Sequence, residues 1–304
     1  MDVQPIIAPV PTELIKKELN SFEPLLESSH GHFKIYLIRG SEAPSVMLEV
    51  GRLREEAYRA NGASSGKATD LDDFDTDPSL GFRQLVLWDP ELECIAGGYR
   101  ILHCKDCQFS PDGQPKMPSS HIFHFTDRFL KEFLPDTLEL SRSYISIPFQ
   151  RKAAEIRNIY ALDSIFEGIA ATVGLTGARY FFGKVTFYPQ YPKEAFQLIS
   201  SFFAKRWTSD LIEPVHPEPI PCSPKIEAIL CHNDYREDFR ALKLALREKG
   251  YNLPPILNTY INLTSSFRYF GSVVNDEFSY STEMGLLVSS ADIVKDRYQM
   301  LMNR

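Results

Sequence analysis

No stretch of this 304-residue chain approaches the ~20 consecutive apolar residues that a membrane-spanning helix needs. The start, Met1-Asp2-Val3-Gln4-Pro5, has neither a basic region nor a long apolar run, so no secretory signal peptide is expected. There is no run of lysines and arginines, and the net charge of -7 argues against a nucleic-acid partner. The 5 cysteines are an odd number, which argues against a complete secreted disulfide framework. These absences predict a cytoplasmic protein, peripheral at most on the cytoplasmic face of the inner membrane.

What is present is an ordinary globular composition, 43% apolar and 24% charged, with ample material for a core. A proline-punctuated arm (Pro5, Pro9, Pro11) occupies residues 1–30, with Thr12 as N-cap of a short helix to Leu19. Phe33 to Ile38 reads as a strand and Ala43 to Ala60 as a helix closed by Asn61-Gly62. Residues 62–80 read as a long acidic loop. Phe82 to Asp89 and Cys94 to His103 form a hairpin. After a loop from Cys104 to Ser120, the pattern predicts a helix over 122–133, a strand over 138–146 and a long helix from Ala153 to Val173. A strand over 179–187 and a helix over 194–207 follow. Residues 208–224, rich in proline, read as an extended connector. Helices over 238–249 and 255–263 and a strand over 283–289 complete an α+β order, with one domain over 31–304 and a C-terminal extension from about 208.

Charges are placed where they cost most. Arg100 lies inside Ile95–Leu102, and Glu139 and Arg142 lie inside Leu138–Ile145, both otherwise strand-like and buried. Buried charges need partners. Arg54, Tyr58 and the acidic segment Leu71-Asp72-Asp73-Phe74-Asp75 supply some, so three arginines and several carboxylates are expected to meet across one cleft.

The order of a hairpin, a strand carrying Glu139-Leu140-Ser141-Arg142, a turn and a long helix resembles the GNAT acyltransferase fold. That resemblance implies a mixed central sheet flanked by helices, a three-layer α/β arrangement, with splayed parallel strands holding the thioester of the acyl donor. Ile95–Leu102 and Leu138–Ser146 are expected to be the splayed pair. The charge set is similar to that of the acyl-homoserine-lactone synthases and of the ornithine-lipid and glycine-lipid N-acyltransferases (the hemolysin-like family). Gly183-Lys184-Val185-Thr186-Phe187-Tyr188-Pro189-x-Tyr191 and Pro254-Pro255 to Leu263 resemble the lipid branch.

The resemblance implies an N-acyltransferase that moves a long acyl chain, 3-hydroxylated or not, from acyl carrier protein to the α-amine of glycine or ornithine. Its product would enter aminolipid biosynthesis. A lactone-type signal synthase and a non-catalytic carrier- or lipid-binding relative are the alternatives. Glu139 is the candidate for binding the acceptor ammonium or relaying its proton, with Arg100 and Arg142 beside it. A purely structural ion pair between Glu139 and either arginine is the other reading. Arg54, Asp72, Asp75 and Ser141 are expected at the substrate, and a backbone N–H near Gly97-Gly98-Tyr99 as oxyanion donor.

The turn at Gln150, with Arg151, Lys152 and Arg157, is expected to hold phosphopantetheine and its acidic carrier protein. Ala153 and Glu155 stand where the GNAT loop usually has glycines, which favours the single phosphate of the carrier over coenzyme A. No permanently bound cofactor is expected. Cys104-x2-Cys107 lacks a second matching pair, so no metal is assigned. None of the 7 histidines begins an H-x4-D motif, which sets aside the glycerolipid acyltransferase chemistry. Tyr180-Phe181-Phe182 and Phe202-Phe203 read as core.

Overall fold

The computed structural model describes residues 3–150, 157–220 and 223–303. In chain order the elements are α1 (Thr12–Leu19), β1 (Leu26–Glu27), β2 (Lys34–Ile38), α2 (Pro44–Ala60), α3 (Asp73–Thr76), β3 (Arg83–Asp89) and β4 (Cys94–His103). Then come β5 (Phe123–Phe125), α4 (Asp127–Glu132), β6 (Thr137–Ile145), α5 (Arg157–Thr176), β7 (Tyr180–Phe187) and α6 (Lys193–Trp207). The chain ends with β8 (Ile212–Pro214), α7 (Pro224–Ile229), α8 (Tyr235–Glu248), α9 (Pro255–Leu263), β9 (Arg268–Asn275), β10 (Ser281–Ser289) and α10 (Asp296–Met302).

An 8-stranded sheet runs in the order β1-β2-β3-β4-β6-β7-β10-β9. Its pairs are antiparallel except β6 with β7, which run parallel. Strand alternation divides the core. Leu85 and Leu87 of β3 join the α5 side with Tyr99, Ile101, Leu138 and Leu140. Val86 and Trp88 join the α2 side with Val50, Leu53 and Ala57. The protein is therefore a three-layer mixed α/β fold of GNAT type.

Helix α2 forms because Val46, Met47, Val50, Leu53 and Ala57 share a buried face and Pro44 occupies its first turn. It ends at Asn61, and Gly62 takes φ +88° as the chain turns away. The N-terminal arm lies along the acidic loop, Gln4 N–H donating to Gly66 O at 2.9 Å and Ile7 N–H to Ala68 O at 3.2 Å.

Four sequence expectations change. The cap of α1 is Pro11, with Thr12 already helical. Residues 122–133 are split into β5 and α4, because the Thr126 hydroxyl accepts from Phe129 N–H and starts the helix there. The connector 208–224 contains β8, which pairs with β5. The splayed pair is also different. Strand β4 pairs with β6 antiparallel from His103↔Leu138 to Gly97↔Ile145, so those two cannot open a V. The fork lies between β6 and β7, whose ladder runs from Thr137↔Tyr180 to Leu140↔Gly183 and stops. The Cβ that Gly183 lacks would stand 3.0 Å from Leu140 O, so glycine lets the strands close tightly just before they part.

Candidate active site

The charged residues of β4 and β6 all point to the α2 face of the sheet, since Arg100 alternates with Tyr99 and Ile101, and Glu139 and Ser141 with Leu138 and Leu140. Arg54 and Arg100 are fully buried. The Arg54 guanidinium donates to Asp75 Oδ1 at 2.8 Å and to Gln84 Oε1 at 2.6 Å, while Gln84 Nε2 donates to the same Asp75 oxygen at 2.9 Å. Arg100 donates through Nη1 to Asp72 Oδ1 at 2.6 Å and lies 3.3 Å from Asp75 Oδ2. Its Nε donates to Ser141 Oγ at 3.2 Å, and Ser141 in turn donates to Glu139 Oε2 at 3.1 Å. Phe74 and Phe82 cover the Arg100 guanidinium at 5.4 and 5.5 Å.

The loop carrying the acidic residues is built for this contact. Asp72 caps α3, and the Asp75 side chain reaches back to the Asp72 N–H at 3.1 Å in a capping box. The short helix thus presents two carboxylates to two arginines. Burial alone would raise the Asp75 carboxyl, but the Arg54 and Arg100 charges overcome it and hold Asp75 well below the usual range. Asp72 goes the other way: burial raises it despite Arg100 and Arg142.

Arg142 sits in a bulge of β6, where the register against β4 shifts between Gly98 and Arg100, and it takes φ +52°. The bulge turns its side chain toward Asp70 Oδ2 at 3.0 Å and Asp72 Oδ2 at 3.6 Å, with the Phe278 ring 5.5 Å away. Tyr58 Oη donates to Ser143 O at 3.1 Å and so ties α2 to the same bulge.

Glu139 is 1% exposed. Burial lifts its carboxyl to about 7, against the opposing pull of Arg100, the Ser141 hydroxyl, Lys184 and Arg142. A group poised there can exchange a proton near neutral pH.

Several residues near the site are not among those the sequence assigns to it, although Lys184 and Thr186 lie within the 183–191 motif. Gln84 cements the Arg54–Asp75 pair, and Asp70 receives Arg142. Lys184 is the first residue of β7 past the fork, and its ammonium lies 3.3 Å from Glu283 Oε1 on β10. Thr186 Oγ1 donates to Glu283 Oε2 at 2.8 Å and Asn275 Nδ2 to Glu283 Oε1 at 3.2 Å. A lysine and a glutamate inside apolar strands are the signal for this pair, the same one that exposes Arg100 and Glu139.

Gly97, Gly98 and Tyr99 are not at the fork. Strand β4 is paired with β3 along this stretch and with β6 at Gly97 and Gly98, while the bulge in β6 leaves Tyr99 without a β6 partner. Their glycines serve close packing: a Cβ would meet Tyr144 O at 2.7 Å from Gly97 and Leu85 O at 2.6 Å from Gly98. The open backbone edge belongs to β6 after Leu140. Gln150 Nε2 donates to Ile145 O at 2.9 Å. Arg151 and Lys152 lie outside the described residues, as does the side chain of Arg157, whose backbone begins α5.

On the α5 face, the fork opens into a half-open apolar cavity. Leu140, Gly183 and Val185 line it at the fork, Phe166 and Ala170 along α5, and Phe181 and Phe182 along β7. Phe202 and Phe203 are fully buried core. Tyr260 of α9 reaches the cavity and shares a hydrogen bond with Tyr99 at 2.9 Å between the hydroxyls. Cys104 and Cys107 are buried, and burial pushes the Cys107 thiol up to about 12, so it is neutral. Among the described residues no helix is long and apolar enough to cross a membrane.

Residues 53–157 match the acetyltransferase (GNAT) domain family. Solved structures of two CoA-dependent acyl-homoserine lactone synthases, MesI and BjaI, are similar at TM-scores of 0.40 and 0.35 and 11% identity. The MesI match covers 89% of this chain and 96% of that one, and the BjaI match 90% and 89%. The glycine Nα-acyltransferase of Bacteroides thetaiotaomicron is 38% identical over 299 residues, 97% of this chain and 88% of that protein. The enzyme of the same name from Phocaeicola vulgatus is also 38% identical, over 97% of this chain and 91% of its own. A GNAT sheet with a buried carboxylate at its fork and this extent of identity lead to one conclusion: the chain belongs to the family of these glycine Nα-acyltransferases and is an N-acyltransferase.

Proposed function

We propose that the enzyme transfers a long acyl chain from the phosphopantetheine thioester of acyl carrier protein to the α-amine of a small amino acid, glycine first, as a step of aminolipid synthesis. One observation carries the reading: the titratable Glu139 and the apolar cavity lie on opposite faces of the sheet and meet where β6 and β7 part.

The acyl chain would fill the cavity, and the thioester would lie along the open edge of β6 beyond Leu140. Glu139 would take a proton from the acceptor ammonium, because only the neutral amine has a lone pair for attack on the thioester carbon. The β6 edge would donate N–H groups to the oxyanion of the tetrahedral intermediate, which collapses with loss of the carrier thiol. Arg54, Arg100 and Arg142 are each engaged by carboxylates of the acidic loop, which supports a role in fixing that loop over the site. Lys184, beyond the fork, suits the acceptor carboxylate. Tyr260, which lines the mainly apolar cavity and is hydrogen-bonded to Tyr99 behind it, suits a 3-hydroxyl on the chain. The missing glycines after Gln150 and the positive Arg151, Lys152 and Arg157 favour a carrier protein over coenzyme A.

The test is direct incubation of the purified protein with acyl carrier protein and coenzyme A thioesters, with and without a 3-hydroxyl. Glycine, ornithine, lysine, serine and S-adenosylmethionine would be offered in turn, with products read by mass spectrometry. N-acyl glycine from the carrier thioester is expected. Absence of N-acyl product with every amino acid overturns the reading, and release of a lactone replaces it with signal synthesis.

A further inference from the structure

The cavity has a second set of walls, supplied by the last residues of the chain and lying far beyond the matched GNAT region of 53–157. Ile293, Tyr298 and Met302 all line it. We propose that the C-terminal segment 290–303, and α10 in particular, closes the far end of the acyl cavity and sets the length of chain the enzyme accepts. This rests on the acyl-transfer reading given above.

Position along α5 supports it. The helix returns from the open end of the fork to the start of β7, so its later residues lie progressively farther from Leu140 and Gly183. Phe166 is near its middle, and Gly174 is eight residues later, about 12 Å along the helix axis. Gly174 is where α10 docks: a Cβ there would stand 2.5 Å from Leu301 O and 3.5 Å from Met302 O. Only a glycine lets the two backbones approach so closely. Met302 therefore stands at the end of the cavity opposite the fork.

The docking is also fixed at the other end of α10. Lys295 and Tyr298 both bond Asp163 on α5, the tyrosine hydroxyl at 2.5 Å. Val294 N–H donates to Leu263 O at 2.9 Å, joining the segment to the end of α9. The segment is thus held by polar ties through Lys295, Tyr298 and Val294, while Ile293 and Met302 present apolar side chains to the cavity. A wall of this kind discriminates by length alone. Each methylene that no longer fits forfeits about 0.8 kcal/mol, or about fourfold in affinity.

Met302→Trp and Met302→Ala test the idea from both sides, with Met300→Ala as control, since Met300 is on the same helix and 63% exposed. Each protein would receive an equimolar mixture of acyl thioesters of graded length with glycine, and the product ratios would be read by mass spectrometry. In parallel, displacement of a fluorescent fatty acid by free fatty acids of the same lengths would measure the cavity itself. The tryptophan variant is expected to lower the ratio of long to short chains by about fourfold per excluded methylene. The alanine variant is expected to raise that ratio, and the control to leave it unchanged. N-acyl products with an unaltered length profile in both Met302 variants overturn the length rule alone. Should no protein form N-acyl product while length-dependent displacement still follows Met302, the rule stands and the acyl-transfer reading falls. If fatty acids do not displace the probe from the unmodified protein, the cavity is not the chain's site and the rule falls.

Discussion

Arg100 reaches Glu139 through a single hydroxyl: Ser141 Oγ accepts from Arg100 Nε at 3.2 Å and donates to Glu139 Oε2 at 3.1 Å. The arginine anchors the acidic loop and, through Ser141, also supports the ionised form of Glu139. Because that hydrogen bond favours the charged carboxylate, Ser141→Ala should raise the Glu139 pKa above about 7. The acid limb of kcat/KM against pH would move to higher pH. An unmoved limb in the variant would show that Ser141 does not govern Glu139.

Glu139→Gln should lower kcat by roughly 10²–10⁴-fold and remove the acid limb, as expected for loss of a general base. Stability gives an independent readout. The folded carboxyl titrates at about 7, above its ordinary 4.5. Its favourable contribution is therefore complete below 4.5 and is lost as pH rises through about 7. Each unit of separation corresponds to about 1.4 kcal/mol. Urea unfolding between pH 4 and 8 should show the unmodified protein weakening across this window and the glutamine variant changing less. Parallel curves would mean that Glu139 is not buried as described.

Arg54→Met should cost roughly 3–5 kcal/mol, since it leaves Asp75 and Gln84 inside the protein without their fully buried partner. The double variant Arg54→Met/Asp75→Asn should recover part of the loss, because the uncompensated charge is gone. A cost below about 1 kcal/mol by equilibrium unfolding, in the range of exposed pairs, would contradict the burial of this pair.

Lys184→Met should raise the KM for glycine more than it lowers kcat, if the ammonium binds the acceptor carboxylate. Glycinamide, which lacks that carboxylate, is the diagnostic substrate. The unmodified enzyme should favour glycine over glycinamide, and the variant should lose the preference. Retention of the preference in the variant would assign Lys184 to Glu283 alone.

Tyr260→Phe removes the hydroxyl of the cavity-lining partner in the Tyr99–Tyr260 pair. A preference for 3-hydroxyacyl over plain acyl donors should fall by about two- to tenfold, the worth of one neutral hydrogen bond. Competition between the two donors in one reaction measures this directly. An unchanged ratio would place the 3-hydroxyl elsewhere.

Much of this was legible in the chain. The 3.6-residue period of α2, its proline start and its Asn61-Gly62 end are local properties, and so are the alternation and turn of the β3–β4 hairpin. Arg100, Glu139 and Arg142 stood out because a charge within an apolar strand is costly anywhere. The same logic applied to Lys184 and Glu283, but their partnership crosses 99 residues and no local pattern marks it. Strand β9 escaped because Arg268-Tyr269-Phe270-Gly271-Ser272 alternates weakly and Gly271 takes φ +81°.

The sequence by itself determined the α+β order of elements and the buried charges Arg100, Glu139 and Arg142, since periodicity and desolvation act residue by residue. The three-layer class came from the GNAT resemblance. Only the tertiary structure decided which strands part. The fork lies between β6 and β7 and not between β4 and β6, because pairing is a contest among non-local partners that no single strand's pattern can resolve. The same packing brings α10 back across α5 to close the cavity, joining the last residues of the chain to a site begun at Arg54.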